Sequence, residues 1–439
     1  MLISIDEKNI KSIKNKKLYE EALKYIDNNK QLIIYIKKTG MDVAEYDEAL
    51  IAKKNELVSL LKQRGAIFRN NDKSVYINYL SKACLECRKG DKSITFFYSL
   101  KCNRDCYFCG NKNQDNYEYY ITNYNNIISE YEAIKNKEHL NAIALTGGEP
   151  LMYPERVFKF FELVRNKSPL AHTRIYTNGD FLDESILKKL QSLNLNEIRF
   201  SIKPTDDNTY DTTIIEKMIN AKEYIPDVVV EMPVIPGTLD EMKKLLNELN
   251  QIEITGINLL EFLYPWVNPE EYKKRGFKVK HRPYEVLYSY TYPGGLPISG
   301  SEEECLELLL YALEKKFKMG VHYCSLENKL TSQIYNQNVG TMLMPYEVFS
   351  EKDFFIKTAK VYSRDIRKIV KYIKNAKECI YDEKNDTLEF HPKYIPYLPG
   401  DTEVAITYNV VENRDGDMLL EEIKIDYTKP NIFEYDKDI

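Results

Sequence analysis

The chain has 439 residues, of which 43% are hydrophobic, and its formal net charge at pH 7 is -5. This length predicts two or three domains, and the slightly acidic balance excludes a global basic field that would attract nucleic acid. No apolar run approaches the length of a bilayer span, and the first residues contain no signal-peptide core. The eight cysteines indicate metal binding or catalysis rather than a disulfide framework, so we expect a cytoplasmic protein.

The N-terminal region, residues 1–92, is predicted to be mainly helical. Apolar side chains recur at helical spacing over residues 19–26 and again over residues 49–61. Two strand-like runs, 66–68 and 75–79, then predict a short hairpin that leads to a Cys-x2-Cys pair. We expect this region to cap the next domain or to recognise a substrate.

Residues 93–265 alternate between strand-like and helical segments. The strand-like runs are 94–98, 141–146, 173–177, 197–202, 227–233 and 256–262. The helical stretches between them are 122–137, 155–166, 183–193, 213–224 and 238–250. Strands that alternate with helices predict a parallel sheet with right-handed crossovers, here an α/β partial barrel of six units. In such folds the chemistry gathers at the carboxyl ends of the strands.

The loop after the first of these strands holds Cys102, Cys106 and Cys109 in a C-x3-C-x2-C spacing. Three thiolates this close in sequence can bind three irons of one [4Fe–4S] cluster and leave the fourth iron open. An alternative is a zinc ribbon that pairs Cys84 and Cys87 with Cys106 and Cys109. That alternative leaves Cys102 without a role.

Polar sets follow the later strands as well. They are Gly147-Gly148-Glu149, Thr177-Asn178, Ser201-x-Lys203, a segment at 231–237 and Glu261. Each set alone has a structural explanation, because such residues form turns and cap helices. Their position at successive strand ends, downstream of the cysteines, favours a common site.

These motifs resemble the radical S-adenosylmethionine (SAM) superfamily over residues 94–262. The stretch 234–237 is in addition similar to enzymes that activate glycyl-radical enzymes such as pyruvate formate-lyase. The resemblance implies a [4Fe–4S] cluster and SAM as cofactors. It also implies reductive cleavage of SAM to a 5′-deoxyadenosyl radical, which takes a hydrogen atom from a substrate.

The same resemblance implies roles for individual residues. Cys102, Cys106 and Cys109 would hold the cluster. The SAM contacts would be Gly147, Gly148 and Glu149 for the amino group, Thr177 and Asn178 for the nucleoside, and Ser201 and Lys203 for the ribose or carboxylate. Phe108 and apolar groups near residues 257–259 would cover the adenine.

The remaining cysteines leave two interpretations open. Cys84, Cys87 and Cys324 are predicted to bind an auxiliary iron–sulfur cluster or zinc. Cys305 and Cys379 are predicted to be core residues.

Two further segments complete the predicted domain organisation. Residues 266–345 form an extension, in which the Pro/Gly-rich loop 292–300 is a candidate cover for a substrate opening. Residues 346–439 form a small α+β domain with a helix at 364–375 and a half-buried strand at 402–411.

The leading functional hypothesis is a radical SAM enzyme that acts on a peptide or protein and takes electrons from a flavodoxin or ferredoxin. The alternatives are an activating enzyme for a glycyl-radical enzyme and, from a different class, a non-catalytic zinc or iron–sulfur module. Membrane association is not expected, and RNA modification is disfavoured by the acidic balance.

Overall fold

The computed structural model describes residues 1–203, 210, 212–287 and 294–439. Contacts divide the chain into two compact units. One contains Met1–Lys38, Tyr284–Ser289 and Gln333–Ile439, and the other contains Thr39–Pro283 and Tyr290–Ser332. We call them the sheet unit and the barrel unit. Within the described ranges, no helix combines the length and the hydropathy that crossing a membrane requires.

The strands and α-helices are numbered in chain order. The strands are β1 (Ile3–Ser4), β2 (Ile67–Arg69), β3 (Ser74–Ile77), β4 (Ser93–Phe97), β5 (Ala142–Thr146), β6 (His172–Thr177), β7 (Glu197–Phe200), β8 (Asp227–Val234), β9 (Gly256–Glu261), β10 (Leu263–Tyr264), β11 (Leu296–Pro297), β12 (Gly320–Cys324), β13 (Val348–Phe349), β14 (Ile356–Lys357), β15 (Ala359–Tyr362), β16 (Cys379–Asp382), β17 (Thr387–Phe390), β18 (Val404–Arg414) and β19 (Asp417–Thr428). The helices are α1 (Lys16–Lys38), α2 (Glu48–Gln63), α3 (Lys82–Glu86), α4 (Tyr117–Tyr120), α5 (Ile127–Ala133), α6 (Pro154–Lys167), α7 (Glu184–Ser192), α8 (Ile214–Lys222), α9 (Leu239–Gln251), α10 (Pro269–Lys274), α11 (Ser301–Glu314), α12 (Leu326–Asn338), α13 (Ile366–Ile369) and α14 (Tyr435–Asp438).

The barrel unit is built on a sheet in the order β2-β3-β12-β9-β8-β7-β6-β5-β4. Strands β4 to β9 pair in parallel as consecutive neighbours, which confirms the predicted α/β partial barrel. Strand β12 adds a further parallel partner beside β9, and the predicted hairpin of β2 and β3 closes this edge antiparallel to it. The sheet therefore continues past the six predicted strands into residues that we expected to form a separate extension.

Apolar periodicity explains why these segments pack as they do. Helix α6 buries Val157, Phe160, Phe161 and Val164 on one face, the face that points to the core cluster of the sheet. Burying side chains of this size stabilises the fold by roughly 1.5–3 kcal/mol each. Helix ends are fixed by caps, for example at α7, where the Asp183 carboxylate accepts from a backbone N–H of the first turn. The predicted helix 122–137 is shorter in the structure and spans only α5.

The sheet unit is an antiparallel sheet in the order β1-β19-β18-β15-β17-β16, with β14 also paired to β18. Successive side chains of β18 enter two different apolar clusters. Ala405 packs in the cluster that holds Leu18 and Ala22 of α1, and Ile406 packs in the other. The strand is therefore buried on both faces over most of its length, whereas its alternation predicted a half-buried strand.

The two units divide the N-terminal region between them. Helix α1 belongs to the sheet unit, and α2 with the β2–β3 hairpin belongs to the barrel unit. The four predicted segments, 1–92, 93–265, 266–345 and 346–439, remain a prediction. Part of the predicted loop 292–300, namely residues 292 and 293, lies outside the described residues.

Candidate active site

A cavity of about 270 Å³ opens at the carboxyl ends of the parallel strands in the barrel unit. Its wall is formed by residues that end or follow β4 to β9 and β12. The predicted site residues in this wall are Cys102, Cys106, Phe108, Cys109, Gly147, Gly148, Thr177, Asn178, Ser201, Lys203 and Cys324. Parallel α/β folds bind ligands at this edge of the sheet, so the topology brings these residues to the expected place.

Residues 98–109, called the cysteine loop below, carry the free thiols of Cys102, Cys106 and Cys109. The N–H of Cys109 donates to the carbonyl of Cys106 at 3.1 Å, and the N–H of Arg104 donates to the Cys102 sulfur at 3.5 Å. Burial raises the pKa of the Cys102 and Cys106 thiols, an effect that the ammonium of Lys203 opposes at Cys106. Three thiols on one short loop fit a [4Fe–4S] cluster that has one iron without a protein ligand.

An ion pair that sequence reasoning missed holds this loop to the loop after β6. Arg104 donates twice to the Asp180 carboxylate, at 2.8 and 2.6 Å, and Asn103 donates to the same carboxylate at 2.6 Å. The hydrogen bond from Arg104 lowers the pKa of Asp180. A bidentate pair fixes geometry as well as distance, so it orients the cysteine loop. In the sequence, this ion pair could have been predicted only from an arginine between two of the cysteines and an aspartate directly after Thr-Asn-Gly.

Gly147 and Gly148 allow two chain segments to approach closely. The N–H of Gly148 donates to the carbonyl of Ser99 at 2.9 Å, and the next N–H donates to the carbonyl of Lys101 at the same distance. A Cβ at Gly148 would lie 1.9 Å from the Lys101 oxygen, and Gly147 has a φ of +133°. Only glycine fits these two positions. The glycines line the cavity as predicted, and they also hold the start of the cysteine loop.

Glu149 follows the glycine pair and is not among the residues that line the cavity. Its side chain is buried, with 2% exposed, and its carboxylate accepts from the N–H of Leu151 at 3.0 Å, the hydroxyl of Thr177 at 2.8 Å and the N–H of Asn178 at 2.6 Å. Burial raises the pKa of this carboxyl group, against the effect of these donors. The carboxylate thus joins the ends of β5 and β6. Its predicted contact with the SAM amino group remains a prediction.

Thr177, Asn178 and Ser201 form the next part of the wall. The Thr177 hydroxyl accepts from the N–H of Gly179 at 2.9 Å, and the N–H of Ser201 donates to the Thr177 carbonyl at the same distance. The side-chain amide of Asn178 lies 3.9 Å from the Cys102 sulfur. This part of the wall therefore connects directly to the cysteine loop through Asn178.

An aromatic group closes the side of the cavity next to Phe108. The Phe108 ring meets the Phe262 ring edge-on at 5.8 Å, and Phe262 stacks on Tyr272 at 5.6 Å. The ammonium of Lys203 lies 5.5 Å from the centre of the Phe108 ring. An apolar wall with a cation at its rim suits a ligand that has both an aromatic and an anionic part.

The structure corrects one detail of the expected adenine cover. Ile257 and Leu259 are buried in the core of the barrel unit, with 1% and 0% exposed. Successive side chains of a strand point to opposite faces. Leu260, Phe262 and Leu263 line the cavity in their place.

The second set of cysteines comes from two distant segments of the barrel unit. Cys84 lies on α3, Cys87 caps its end, and Cys324 is the last residue of β12. The Cys84 sulfur accepts from Nη2 of Arg199 at 3.3 Å, and the Cys324 sulfur accepts from the amide of Asn328 at 3.2 Å. Sequence reasoning had not identified these two donors.

The electrostatics separate the cysteines into two groups. Burial raises the pKa of the Cys84 thiol, but Arg199 and His322 lower it, and the result is a pKa of about 6. Burial raises the pKa of Cys324 to about 12, and the neighbouring Cys87 and Cys84 raise it as well. Cys84 also raises the pKa of the Cys87 thiol, whereas the other two cysteines of the cysteine loop raise the pKa of Cys102. Cys305 is fully buried, and Cys379 is half-buried.

A charged network that we did not predict fills the interior of the barrel unit. Arg199, with 2% of its side chain exposed, forms ion pairs with Glu197 and Glu231. The Glu197 carboxylate also contacts Nε2 of His172 at 2.9 Å, and the Glu231 carboxylate accepts from Asn258 at 2.7 Å. Charged residues at alternate positions of an otherwise apolar strand were the available signal for an inward-facing row.

Comparison with known proteins identifies the class. Residues 97–249 match the family described as the Radical SAM superfamily. Together with the fold and the cysteine loop, this match shows that residues 97–249 form a radical SAM domain. Domains of this family use a [4Fe–4S] cluster and SAM as cofactors, and the chain is accordingly an enzyme.

Individual relatives extend this comparison. A protein of Methanocaldococcus jannaschii, named "Putative glycyl-radical enzyme activating enzyme", is 29% identical over 299 residues, which are 65% of this chain and 75% of that protein. The structure of anSMEcpe with bound AdoMet and a peptide is 19% identical over 39% of this chain, with a TM-score of 0.31. That of Streptococcus suis SuiB bound to the precursor peptide SuiA is 12% identical over 56%, with a TM-score of 0.33. The matches span 51% and 53% of these two solved chains.

Proposed function

We propose that the protein cleaves SAM reductively at a cluster held by Cys102, Cys106 and Cys109, and takes a hydrogen atom from a peptide or protein. The observation that carries this proposal is the shared cavity. The three thiols, the glycine pair and the ends of β6 and β7 all face one space of about 270 Å³.

When bound, the cluster and SAM supply a 5′-deoxyadenosyl radical. The protein's own residues would bind and orient these two cofactors. Lys203 provides a positive charge for the SAM carboxylate, and Phe108 provides an apolar surface for the adenine. Asn178 and Thr177 would face the nucleoside, and Ser201 would face the ribose or the carboxylate. The aromatic wall around Phe262 would help to keep water from the reacting atoms.

The peptide or protein substrate is supported by the M. jannaschii relative, because a glycyl-radical enzyme activating enzyme acts on a protein. The same relative favours a second candidate function, activation of a glycyl-radical enzyme. The match to the Radical SAM superfamily gives the non-catalytic metal module no support.

Two further features belong to this proposal. The cluster needs an electron donor, and we propose a flavodoxin or ferredoxin. All eight cysteines are free thiols, which supports a reducing compartment and therefore the cytoplasm.

The experiment is anaerobic reconstitution with iron and sulfide, followed by SAM and dithionite. The wild type is compared with a variant in which all three cysteines of the cysteine loop are alanine, and with Cys379→Ala as a matched control. We expect the wild type and the control to form 5′-deoxyadenosine and to show a change in the cluster EPR signal when SAM is added. A triple variant with the same EPR change would contradict the assignment.

The substrate is tested separately. Candidate glycyl-radical enzymes and short peptides are added to the loaded wild type, and 5′-deoxyadenosine is measured with deuterated substrate. Transfer of deuterium into 5′-deoxyadenosine identifies a substrate. A persistent protein radical in the partner selects the activating function over peptide modification.

A further inference from the structure

We propose that Lys329 binds a carboxylate of the substrate at the side of the cavity where β9 and β12 end. The substrate is then a peptide or protein that presents a carboxylate to the cavity, either its chain terminus or an Asp or Glu side chain. This inference rests on the proposed function, because it assigns a substrate class to the same cavity.

The charged side chains of the cavity wall show which positions a ligand could use. They are Arg104, Asp105, Lys112, Lys203, Glu231, Glu261 and Lys329. Three of them are already paired near the cysteine loop, where Arg104 contacts Asp180 at 2.6 Å and Lys112 contacts Asp105 at 2.5 Å. These charges therefore have partners within the protein before any ligand binds.

The two glutamates of the wall have partners as well. Glu231 forms an ion pair with Arg199. The Glu261 carboxylate lies 3.5 Å from the ammonium of Lys280 and accepts from the N–H of Leu326 at 2.9 Å. Each carboxylate thus has a cation beside it, and neither needs Lys329 as its ion-pair partner.

Two ammonium groups of the wall remain. In the ranges that the structure describes, neither Lys203 nor Lys329 forms an ion pair. The carboxylate next to Lys329 along the helix, that of Glu327, pairs with Lys73 at 3.0 Å instead. Lys329 is half-buried, and removing a cation from water without a counter-ion is costly. An anionic ligand would offset this cost.

The sheet order places the two lysines on different sides of the cavity. Lys203 follows β7, whereas Lys329 lies on α12, which follows β12. The order β12-β9-β8-β7 separates these strands by three spacings, about 14 Å along the sheet. The predicted SAM contacts all end or follow β5 to β7. We therefore assign the SAM carboxylate to Lys203 and the substrate carboxylate to Lys329.

The start of α12 favours an anion on the same side. Its first residue, Leu326, lines the cavity, and the helix is 13 residues long. The N-terminal end of such a helix carries a partial positive charge. Helical side chains tilt towards the N-terminus, so that Lys329, on the first turn, extends towards this end. The ammonium and the helix end then act on the same carboxylate.

The alternative is a purely structural role for Lys329. Burial raises the pKa of Glu231, whereas Arg199, Arg174 and, to a smaller extent, Lys329 lower it. Lys329 would then only help to keep Glu231 charged. That role predicts a lower melting temperature for Lys329→Gln and no effect on which ligands bind, so ligand preference separates the two roles.

The test is a calorimetric titration of the full chain, reconstituted with iron and sulfide and saturated with SAM, without a reductant. The probes are N-acetylglycine for a chain terminus, the α-amide of N-acetylaspartic acid for a side chain, and N-acetylglycinamide as the uncharged comparison. We expect at least one carboxylate probe to bind the wild type about tenfold more tightly than the uncharged probe. The tighter of the two carboxylates identifies the source.

Variants assign this preference to one side chain. Lys329→Gln should lose it, and Lys329→Arg should retain most of it because the charge remains. Lys318→Gln is the matched control, since Lys318 is 86% exposed on the barrel unit and does not line the cavity. It should bind the probes like the wild type.

Two results would overturn the proposal. One is equal binding of the charged and uncharged probes by the wild type, which needs no variant and decides even if Lys329→Gln does not fold. The other is a carboxylate preference that survives in Lys329→Gln. The proposed function fails on a different measurement, the absence of 5′-deoxyadenosine when dithionite is added to the loaded wild type.

Discussion

The guanidinium of Arg199 donates to the sulfur of Cys84 at 3.3 Å while its other nitrogens hold the carboxylates of Glu197 and Glu231. One buried cation thus connects the acidic interior of the barrel unit to the second set of cysteines. Because the side chains of Arg199 and Glu197 are almost fully buried, each depends on its partners for its charged state.

Replacing Arg199 should therefore destabilise the protein. Arg199→Leu leaves two carboxylates without their buried partner, and we expect the free energy of unfolding to fall by about 3–5 kcal/mol. Arg199→Lys keeps the charge but loses the forked geometry, so its loss should be smaller. Denaturant unfolding of the metal-free protein measures both. Equal stability of Arg199→Leu and wild type would refute a structural role for this cation.

The close approach at Gly148 predicts a specific loss of iron. In Gly148→Ala the new methyl group would lie 1.9 Å from the Lys101 oxygen and push the start of the cysteine loop away. We expect iron loading at the cysteine loop to fall, measured by iron content in a background that lacks Cys84 and Cys324. Gly110→Ala is the matched control, because a Cβ at Gly110 has nothing within 4 Å and should leave loading normal.

We expect Thr177 to stabilise the fold through its hydrogen bond to Glu149. Thr177→Val removes the hydroxyl that donates to the buried carboxylate at 2.8 Å. The carboxylate keeps the N–H groups of Leu151 and Asn178 as donors, but a hydrogen bond to a charged group contributes about 1.5–3 kcal/mol, so the melting temperature should fall. Thr177→Ser keeps the hydroxyl and should lie closer to wild type. If the valine and serine variants melt at the same temperature, the hydrogen bond is not the cause.

Stability should depend on pH through Glu302. Its carboxylate contacts Lys280 at 2.5 Å and Lys54 at 2.9 Å, with the carboxyl groups of Glu261 and Glu303 nearby. Burial raises the pKa of Glu302, but the two lysines lower it, and the result is a pKa of about 2. Because the folded pKa is lower than the unfolded one, this stabilisation is present above pH about 4.5 and is lost as the pH falls towards 2.

The pH dependence is measured with Glu302→Gln. We expect the variant to be less stable than wild type by about 3 kcal/mol at pH 7, and the difference to shrink below pH about 4.5. Unfolding curves at several pH values provide the comparison. A difference that stays constant down to pH 3 would place the effect in packing rather than in charge.

Much of the fold was predictable because its signals are local. Each of β4 to β9 is an apolar run, and each crossover helix has its apolar face at regular spacing, so the order of elements follows from neighbouring residues. The C-x3-C-x2-C spacing and the polar strand ends are equally local. Parallel topology then requires those ends to share one edge of the sheet.

Other features depended on contacts between distant segments. The sequence gives no measure of which way a side chain points, so the hydrogen bonds from Thr177 and Asn178 to the Glu149 carboxylate were not predicted. In the same way α1 joined the sheet of the C-terminal residues, because its apolar face is covered only there.

By itself, therefore, the sequence determined the class of enzyme, the partial barrel and the loop that carries the three cysteines. Only the tertiary structure decided that β12 joins the same sheet and brings Cys324 to the wall of the cavity. Only it placed Arg199 between the Cys84 sulfur and the carboxylates of Glu197 and Glu231. The physical reason is that spacing and periodicity record interactions within a segment, whereas pairing between strands and burial of charge are settled by the whole chain.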